Sequence, residues 1–192
     1  MEIVQENSDR ALGERMKALR TTQAMTLDDL AQRASVSRAM ISRIERGEAS
    51  PTAQLLARLC SALGTTLSRF FAPDEQASQP LLRREDQRIW RDPGTGYLRR
   101  SVSPDGMGSP VDIVEVEFPP GATVVFGPQQ FDDGQTQHLW LLEGRLTMTT
   151  DATTHLLEPG DCLFMRLADA HSFHNPHGER ARYAVILHRS KV

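Results

Sequence analysis

The sequence is short of several things, and each shortage excludes a class of protein. Only two cysteines, Cys60 and Cys162, occur in 192 residues. They stand far apart, so no disulfide framework holds the fold, and a reducing compartment with both thiols free is the simple expectation. A lone thiol in an apolar run, as Cys162 is, is expected to pack in a core. No apolar run approaches the roughly 18 residues of a membrane span. The first residues, "MEIVQENSDR", carry acids and amides where a secretion signal needs a basic start and an apolar stretch. A cytoplasmic chain with no membrane partner is the expectation.

A strong charge of one sign is also missing, since the formal net charge is −3. That mean conceals an asymmetry. Residues 10–71 hold ten Arg and Lys against five Asp and Glu, whereas residues 72–192 hold twelve against seventeen. A surplus of basic residues on a short piece is a plausible footprint for a polyanion, which the acidic remainder does not share. With 39% hydrophobic and 24% charged residues, the chain has enough apolar mass for one large or two small globular domains.

Residues 10–71 read as helices almost throughout. Leu12, Met16 and Leu19 recur at helical spacing. Thr26 followed by Asp29 looks like a capping box, with Leu27, Leu30, Ala31 and Ala34 as the buried stripe behind it. Ser37 can cap a third helix whose Ile41 and Ile44 point inward, and Gly47 can end it. Pro51 is expected at the first position of a fourth helix carrying Leu55, Leu56, Leu59 and Leu63, with Gly64 after it. "TTLSRFF" reads as a last short helix. The domains are placed at 9–71 and 89–192, with a linker over 72–88 that opens on the polar "APDEQASQP". Beyond it, "VDIVEVEF", "ATVVF", "HLWLLEGRLTMTT", "HLLEPGDCLFMRL" and "ARYAVILH" are short runs separated by turn residues, the pattern of an all-β sandwich or barrel.

Leu27 to Arg46 forms a unit of two helices crossing sharply at "ASVS". One surface of its second helix is left free, with Ser37, Arg38, Ala39, Ser42, Arg43 and Arg46 on it and no acid. Hydroxyls and arginines suit base edges and phosphates in a major groove. The string "LDDLAQRASVSRAMISRIERGEASPTAQLLARLCSALG" resembles the phage-repressor-like (XRE, Cro/C1-type) helix-turn-helix family over about 60 residues. Ser35 stands where that family usually has glycine. The resemblance implies an all-α DNA-binding head, with Arg38, Ser42 and Arg43 as base readers and Arg46, Thr26 and the start of the second helix at phosphates. It also implies a buried ion pair between Arg20 and Glu45. A protein-docking module is the alternative reading of the same basic helices.

The later stretch "EGRLTMTTDATTHLLEPGDCLFMRLADAHSFHNP", with "FPPGA" before it, resembles the second half of a cupin, a jelly-roll barrel. In that family an H-x-H pair, a glutamate and a later histidine hold a metal. Counting back from Gly144, those positions fall on Gln130, Asp132 and Gln137, and only His171 matches a ligand. The resemblance therefore implies no metal cofactor. Strand alternation turns Gln137, Leu139 and Leu141 inward and His138 and Trp140 outward. An effector site for a small organic molecule is expected at Gln130, Gln137, Leu139, His171, Phe173 and Asn175. Arg99 and Arg100, in "YLRRSV", can serve an anion or a partner or lie on the surface. Together these readings give a homodimeric, non-enzymatic regulator of operator DNA, a repressor in preference to an activator. The alternatives are a metal-dependent cupin enzyme fused to a DNA-binding head and a regulator whose barrel is purely structural.

Overall fold

A computed structural model describes residues 2–71, 79–104, 107–128, 135–151 and 153–188, with the backbone alone for 2–8. The chain divides into two compact units, Met1–Phe70 and Phe71–Val192.

The first unit is five helices: α1 (Glu2–Thr22), α2 (Leu27–Ala34), α3 (Arg38–Glu45), α4 (Ala53–Ala62) and α5 (Leu67–Phe71). Local chemistry sets most of their ends. Thr26 accepts from the Asp29 N–H and Asp29 reaches back to the Thr26 N–H, a complete capping box. Ser37 accepts from the Met40 N–H to start α3. The fourth helix starts later than the Pro51 rule predicts: the Thr52 hydroxyl accepts from the Leu55 N–H, so Thr52 is the cap and Pro51 stands outside. Leu30, Ile41, Ile44, Leu56 and Leu59 are fully buried and make the core with Met16 and Phe70. Gly13 lets α1 approach α3: a Cβ there would collide with the Ile44 carbonyl.

Between α2 and α3 the chain turns at Ser35, whose φ of 51° and ψ of 46° lie in the left-handed region. A side chain pays roughly 1–2 kcal/mol there. Arg58, from α4, holds the turn by donating to the carbonyls of Ala34, at 2.7 Å and 3.2 Å, and of Ser35.

The second unit is all β. A short hairpin, β1 (Ile89–Arg91) and β2 (Leu98–Ser101), follows a single 3-10 turn at Arg84–Asp86 and extends a sheet of order β1-β2-β3-β10-β5-β8. This sheet adds β3 (Val111–Phe118), β5 (Thr136–Glu143), β8 (Cys162–Arg166) and β10 (Ala181–His188). A second sheet of order β4-β9-β6-β7 is built from β4 (Thr123–Phe126), β6 (Leu146–Thr150), β7 (Thr153–Leu157) and β9 (His171–His174). All pairings are antiparallel. From β3 onward the chain passes repeatedly between the two sheets, the jelly-roll arrangement. Val114, Val116, Phe118, Leu139, Leu141, Leu146, Met148, Phe173 and Tyr183 fill the space between them. Gly144 ends β5 at φ 75°, where a Cβ would strike the Arg180 carbonyl.

Cys60 is buried, but Cys162 is exposed, against the expectation of core packing. Alternation along β8 turns Leu163 and Met165 inward and leaves Cys162 and Phe164 on the outer face. Among the described residues no helix is long and apolar enough to cross a membrane.

Replacing Ser35 by glycine removes the left-handed strain at the turn. Equilibrium denaturation of the Ser35→Gly chain is expected to show a gain of about 0.5–1 kcal/mol, the relief being partly offset by glycine's larger unfolded-state entropy; a loss would show that the turn is not strained.

Candidate functional site

The first candidate surface is the free side of α3. Ile41 and Ile44 turn into the core, so Arg38, Ala39, Ser42, Arg43 and Arg46 fall on the opposite side; all are exposed except the half-buried Ser42. The helix is oriented by a buried pair. Arg20 of α1 donates from Nε to Glu45 Oε1 at 2.6 Å and from Nη2 to Glu45 Oε2 at 2.8 Å, while its Nη1 reaches the Met25 carbonyl at 2.7 Å. The hydrogen bonds to Glu45 hold the guanidinium pKa above its ordinary value despite burial. Removing one partner of such a pair costs about 3–5 kcal/mol, because the other is left as an uncompensated buried charge.

Acids do reach this surface, against the reading from α3 alone. Arg38 lies 3.5 Å from Asp28 of α2, an exposed pair that contributes little. Arg46 is gripped harder: its Nε and Nη2 donate to both oxygens of Glu48, at 2.6 Å and 2.7 Å, and its Nη1 donates to Ser42 Oγ. That contact lowers the Glu48 pKa and raises that of Arg46. Glu48 and Ser42 take three of the five N–H donors of Arg46 and leave two for another acceptor. Thr26, expected at a phosphate, is instead a cap, because its hydroxyl donates to Asp29 at 2.6 Å and accepts from the Asp29 N–H at 3.1 Å. Hydrogen bonds with Thr26 hold the Asp29 carboxyl below the usual range. Ser37 accepts from Met40 and keeps its own proton to donate. Among the described residues Arg43 makes no ion pair. Arg38, Arg43, Ser37 and Ser42, with the small Ala39 between them, are the polar groups that the outer side of α3 presents.

The second candidate lies between the two sheets. Gln137 is 4% exposed and faces Met165, to whose sulfur its Nε2 donates at 3.1 Å. A thioether is a weak acceptor, so this amide is underused. On the other sheet, His171 is 5% exposed and stacks against Phe126, with ring centroids 5.1 Å apart. Its Nδ1 donates to the Asp169 carbonyl at 2.8 Å, which places the ring's lone pair on Nε2. Burial lowers its pKa against the opposing pull of that hydrogen bond, so the neutral imidazole is favoured. Residues 167–170 join β8 to β9, and Met165 pairs in register with Gln137. Gln137 and His171 therefore stand at the same end of the sandwich.

The remaining expected effector residues divide. Leu139 is fully buried core, and Phe173 packs among Phe118, Phe126, His171 and Tyr183. Asn175 does not line the interior as a free amide. Its Nδ2 donates to the carbonyls of Phe118, Pro119 and Glu179, and its Oδ1 accepts from the His177 N–H at 3.1 Å, so it pins the turn between β9 and β10 to the end of β3. Gln130 lies outside the described residues, as does Asp132. Phe126 and Met165, the direct neighbours of His171 and Gln137, carry no motif that would have singled them out. Arg99 faces inward and is 6% exposed, whereas Arg100 lies outward within 3.7 Å of Glu115.

A tight transition-metal site takes about four convergent N, O or S donors, three from the protein where catalysis is served. Among the described residues no group of three or more His, Cys, Asp or Glu could hold an ion. His171 offers one imidazole and Gln137 a neutral amide already turned to sulfur, a set that does not fit such a metal.

Comparison with known proteins matches each unit separately. Residues 11–69 match a family model described as a helix-turn-helix domain, and residues 114–187 match one described as a cupin domain. The chain is 24% identical over 183 residues to the HTH-type transcriptional regulator SutR of Escherichia coli, covering 95% of this chain and 97% of that protein. It is 24% identical over 170 residues to the HTH-type transcriptional regulator PuuR of Escherichia coli, covering 88% of this chain and 90% of the relative. Its fold superposes on the crystal structure of an HTH_3 family transcriptional regulator from Vibrio cholerae with a TM-score of 0.78 at 24% identity, over 97% of this chain and 99% of that one.

The buried His171 makes the jelly roll sensitive to acid. Its folded-state pKa lies below the unfolded value of about 6.5, so the unfolded chain gains the proton first as pH falls. Stability is expected to be full above about pH 6.5 and to be lost as pH drops through the folded pKa. Thermal unfolding of wild type and His171→Gln between pH 7.5 and 5 checks this: the variant should lose part of the slope, and an unchanged slope counts against it.

Proposed function

We propose that this chain, a helix-turn-helix domain joined to a cupin domain, is a transcriptional regulator that binds duplex operator DNA as a homodimer and senses a small organic effector in its jelly roll. The observation that carries the reading is the free face of α3. Arginines and hydroxyls stand there on a helix whose other side is locked by Ile41, Ile44 and the Arg20–Glu45 pair. A rigid helix with a basic outer face fits the major groove. The names of the relatives support the same role.

One such helix reads only a few base pairs, so two copies on adjacent half-sites give useful affinity. Repression needs only occupancy of the DNA and is the favoured sign of control. We read the chain as a cytoplasmic regulator rather than an enzyme, in line with the names of its relatives and with a donor set that, among the described residues, does not suit a resident metal. The underused Gln137 amide and the His171 lone pair, among apolar walls, suit a ligand that offers hydrogen-bond donors. Such a ligand shifts operator affinity, and DNA shifts ligand affinity by the same factor.

The DNA reading is tested with duplexes selected from a random pool by the wild-type chain. Arg38→Ala and Arg43→Ala are each expected to lower affinity for the selected sequence by about 5- to 150-fold, the equivalent of about 1–3 kcal/mol per base contact, and to relax preference at one position. Unchanged affinity and unchanged sequence preference in both variants would overturn it.

Sensing is tested by thermal shift, since a ligand of the native state raises Tm by mass action. Among amino acids, polyamines, small organic acids and the divalent ions of zinc, iron, manganese and nickel, an organic compound is expected to stabilise the chain and no metal alone to do so. Stabilisation by stoichiometric metal would reverse the assignment.

A further inference from the structure

The outer faces of the two sheets differ. On the four-stranded sheet, one row of outward residues runs Val125, Ser172, Thr149, Thr154 and the next runs Thr123, His174, Thr147, Leu156. This is a solvated face in which Val125 and Leu156 stand singly. On the six-stranded sheet, register places Phe164, His138, Ile186 and Ile113 in one row across β8, β5, β10 and β3, and Cys162, Trp140, Ala184 and Glu115 in the next. Phe164 is 55% exposed, Trp140 48% and Ile113 38%. His138 and Phe164 already stack, with centroids 5.2 Å apart. Phe164, Ile186, Ile113 and Trp140, with His138 among them, spread large side chains over four strands, the pattern of a sheet covered on both sides rather than of one facing water.

We propose that a second copy of this chain covers this face, a proposal that rests on the regulator reading for its need of two heads. Three observations favour a copy over another occupant. The rim beside the apolar rows carries both signs in near balance: Arg182 pairs with Glu115 at 3.0 Å and Glu143 at 2.6 Å, Arg100 lies 3.7 Å from Glu115, and Arg180 lies 2.8 Å from Glu117. A rim of one sign would repel itself and call for a partner of the other; a balanced one meets its own image without that cost. The area also suits a dimer. Six strands of three to eight residues, about 3.4 Å per residue and about 4.8 Å apart, give a face of about 600 Å², at the lower end of the roughly 600–1,000 Å² per partner of stable interfaces. Its aromatic centre and ion-paired border match the anatomy of such interfaces. Finally, the face is self-complementary. A two-fold axis along the strands between β5 and β10 brings Phe164 of one copy over Ile113 of the other, with the His138–Ile186 pair at the middle.

Sedimentation velocity of the full chain at micromolar concentration, without DNA, tests the proposal. The wild type is expected to run as a dimer, and Trp140→Arg and Phe164→Asp are each expected to weaken the dimer by at least about 30-fold, as central interface residues do. Leu156→Asp, on the other sheet, keeps the dimer, and far-UV spectra and thermal unfolding confirm that each variant is folded. A monomeric wild type, or folded Trp140→Arg and Phe164→Asp chains that remain dimeric, overturns the proposal. Arg43→Ala separates the two readings: it is expected to stay dimeric while losing DNA. A wild-type dimer broken by Trp140→Arg that selects no duplex keeps this interface and removes the regulator reading.

Discussion

A guanidinium and a carboxylate held out of water between α1 and α3 set where the side chains of the recognition surface point. Arg20 meets both oxygens of Glu45 and the Met25 carbonyl, so none of its three nitrogens is left bare. That completeness matters, because a buried pair adds little stability against apolar residues of the same shape, yet a broken one costs several kcal/mol. The pair therefore acts as a registration device. It helps to fix the rotation of a two-turn helix that is also held by Ile41, Ile44 and the close approach of Gly13, and rotation decides which way Arg38 and Arg43 face.

In the second unit strand register has the corresponding role. Successive side chains alternate across a sheet, so a slip of one residue along β5 would exchange Gln137 and Leu139 for His138 and Trp140. The ladder fixes the choice: Gln137 pairs with Leu187 and Met165, and His138 with Ile186 and Phe164. One choice of register thus produces both an interior with an underused amide at the same end as a buried imidazole and an outer face that carries Trp140 and Phe164. Among the described residues the interior keeps one imidazole, His171, because His138 is turned outward.

The helical head was legible from the sequence where its determinants are local. The Thr26–Asp29 box, the Ser37 cap and the glycines after α3 and α4 each act within a few residues. Pro51 misled because proline and a threonine cap both mark a helix start, and the hydroxyl's hydrogen bond to Leu55 fixes the position. What depends on distant partners was not legible. Gly13 makes room for a carbonyl thirty-one residues away, and Arg58 secures a turn twenty-three residues before it. Glu48 lies outside α3 and reaches Arg46 only because the chain turns back at Gly47. In the jelly roll, alternation around Gly144 gave the inward set of β5. The run "DCLFMRL" is apolar at both parities, so composition could not say that Phe164 and Cys162 face out; only pairing with β5 does. The amide of Asn175 was assigned to the interior by its place in a motif, but its bonds go to carbonyls up to fifty-seven residues away.

The proposed sensing site and the proposed dimer face share a strand, and this constrains how one can act on the other. Gln137 and Leu139 face in and His138 and Trp140 face out along the same β5, which hydrogen-bonds on one side to β10 and on the other to β8. A ligand that draws the Gln137 amide away from Met165 alters contacts between β5 and β8, the two strands that carry Trp140 and Phe164. No chain of intermediates is needed, because interior and outer face are two sides of one layer about one residue thick. The coupling is limited by the ligand's differential affinity for the two strand arrangements, and a typical coupling of about 1–3 kcal/mol corresponds to a 5- to 150-fold change in association. For a regulator that must pair two heads to hold its operator, a shift of that size in the dimer is enough to change occupancy of the DNA without any ligand contact to the head itself.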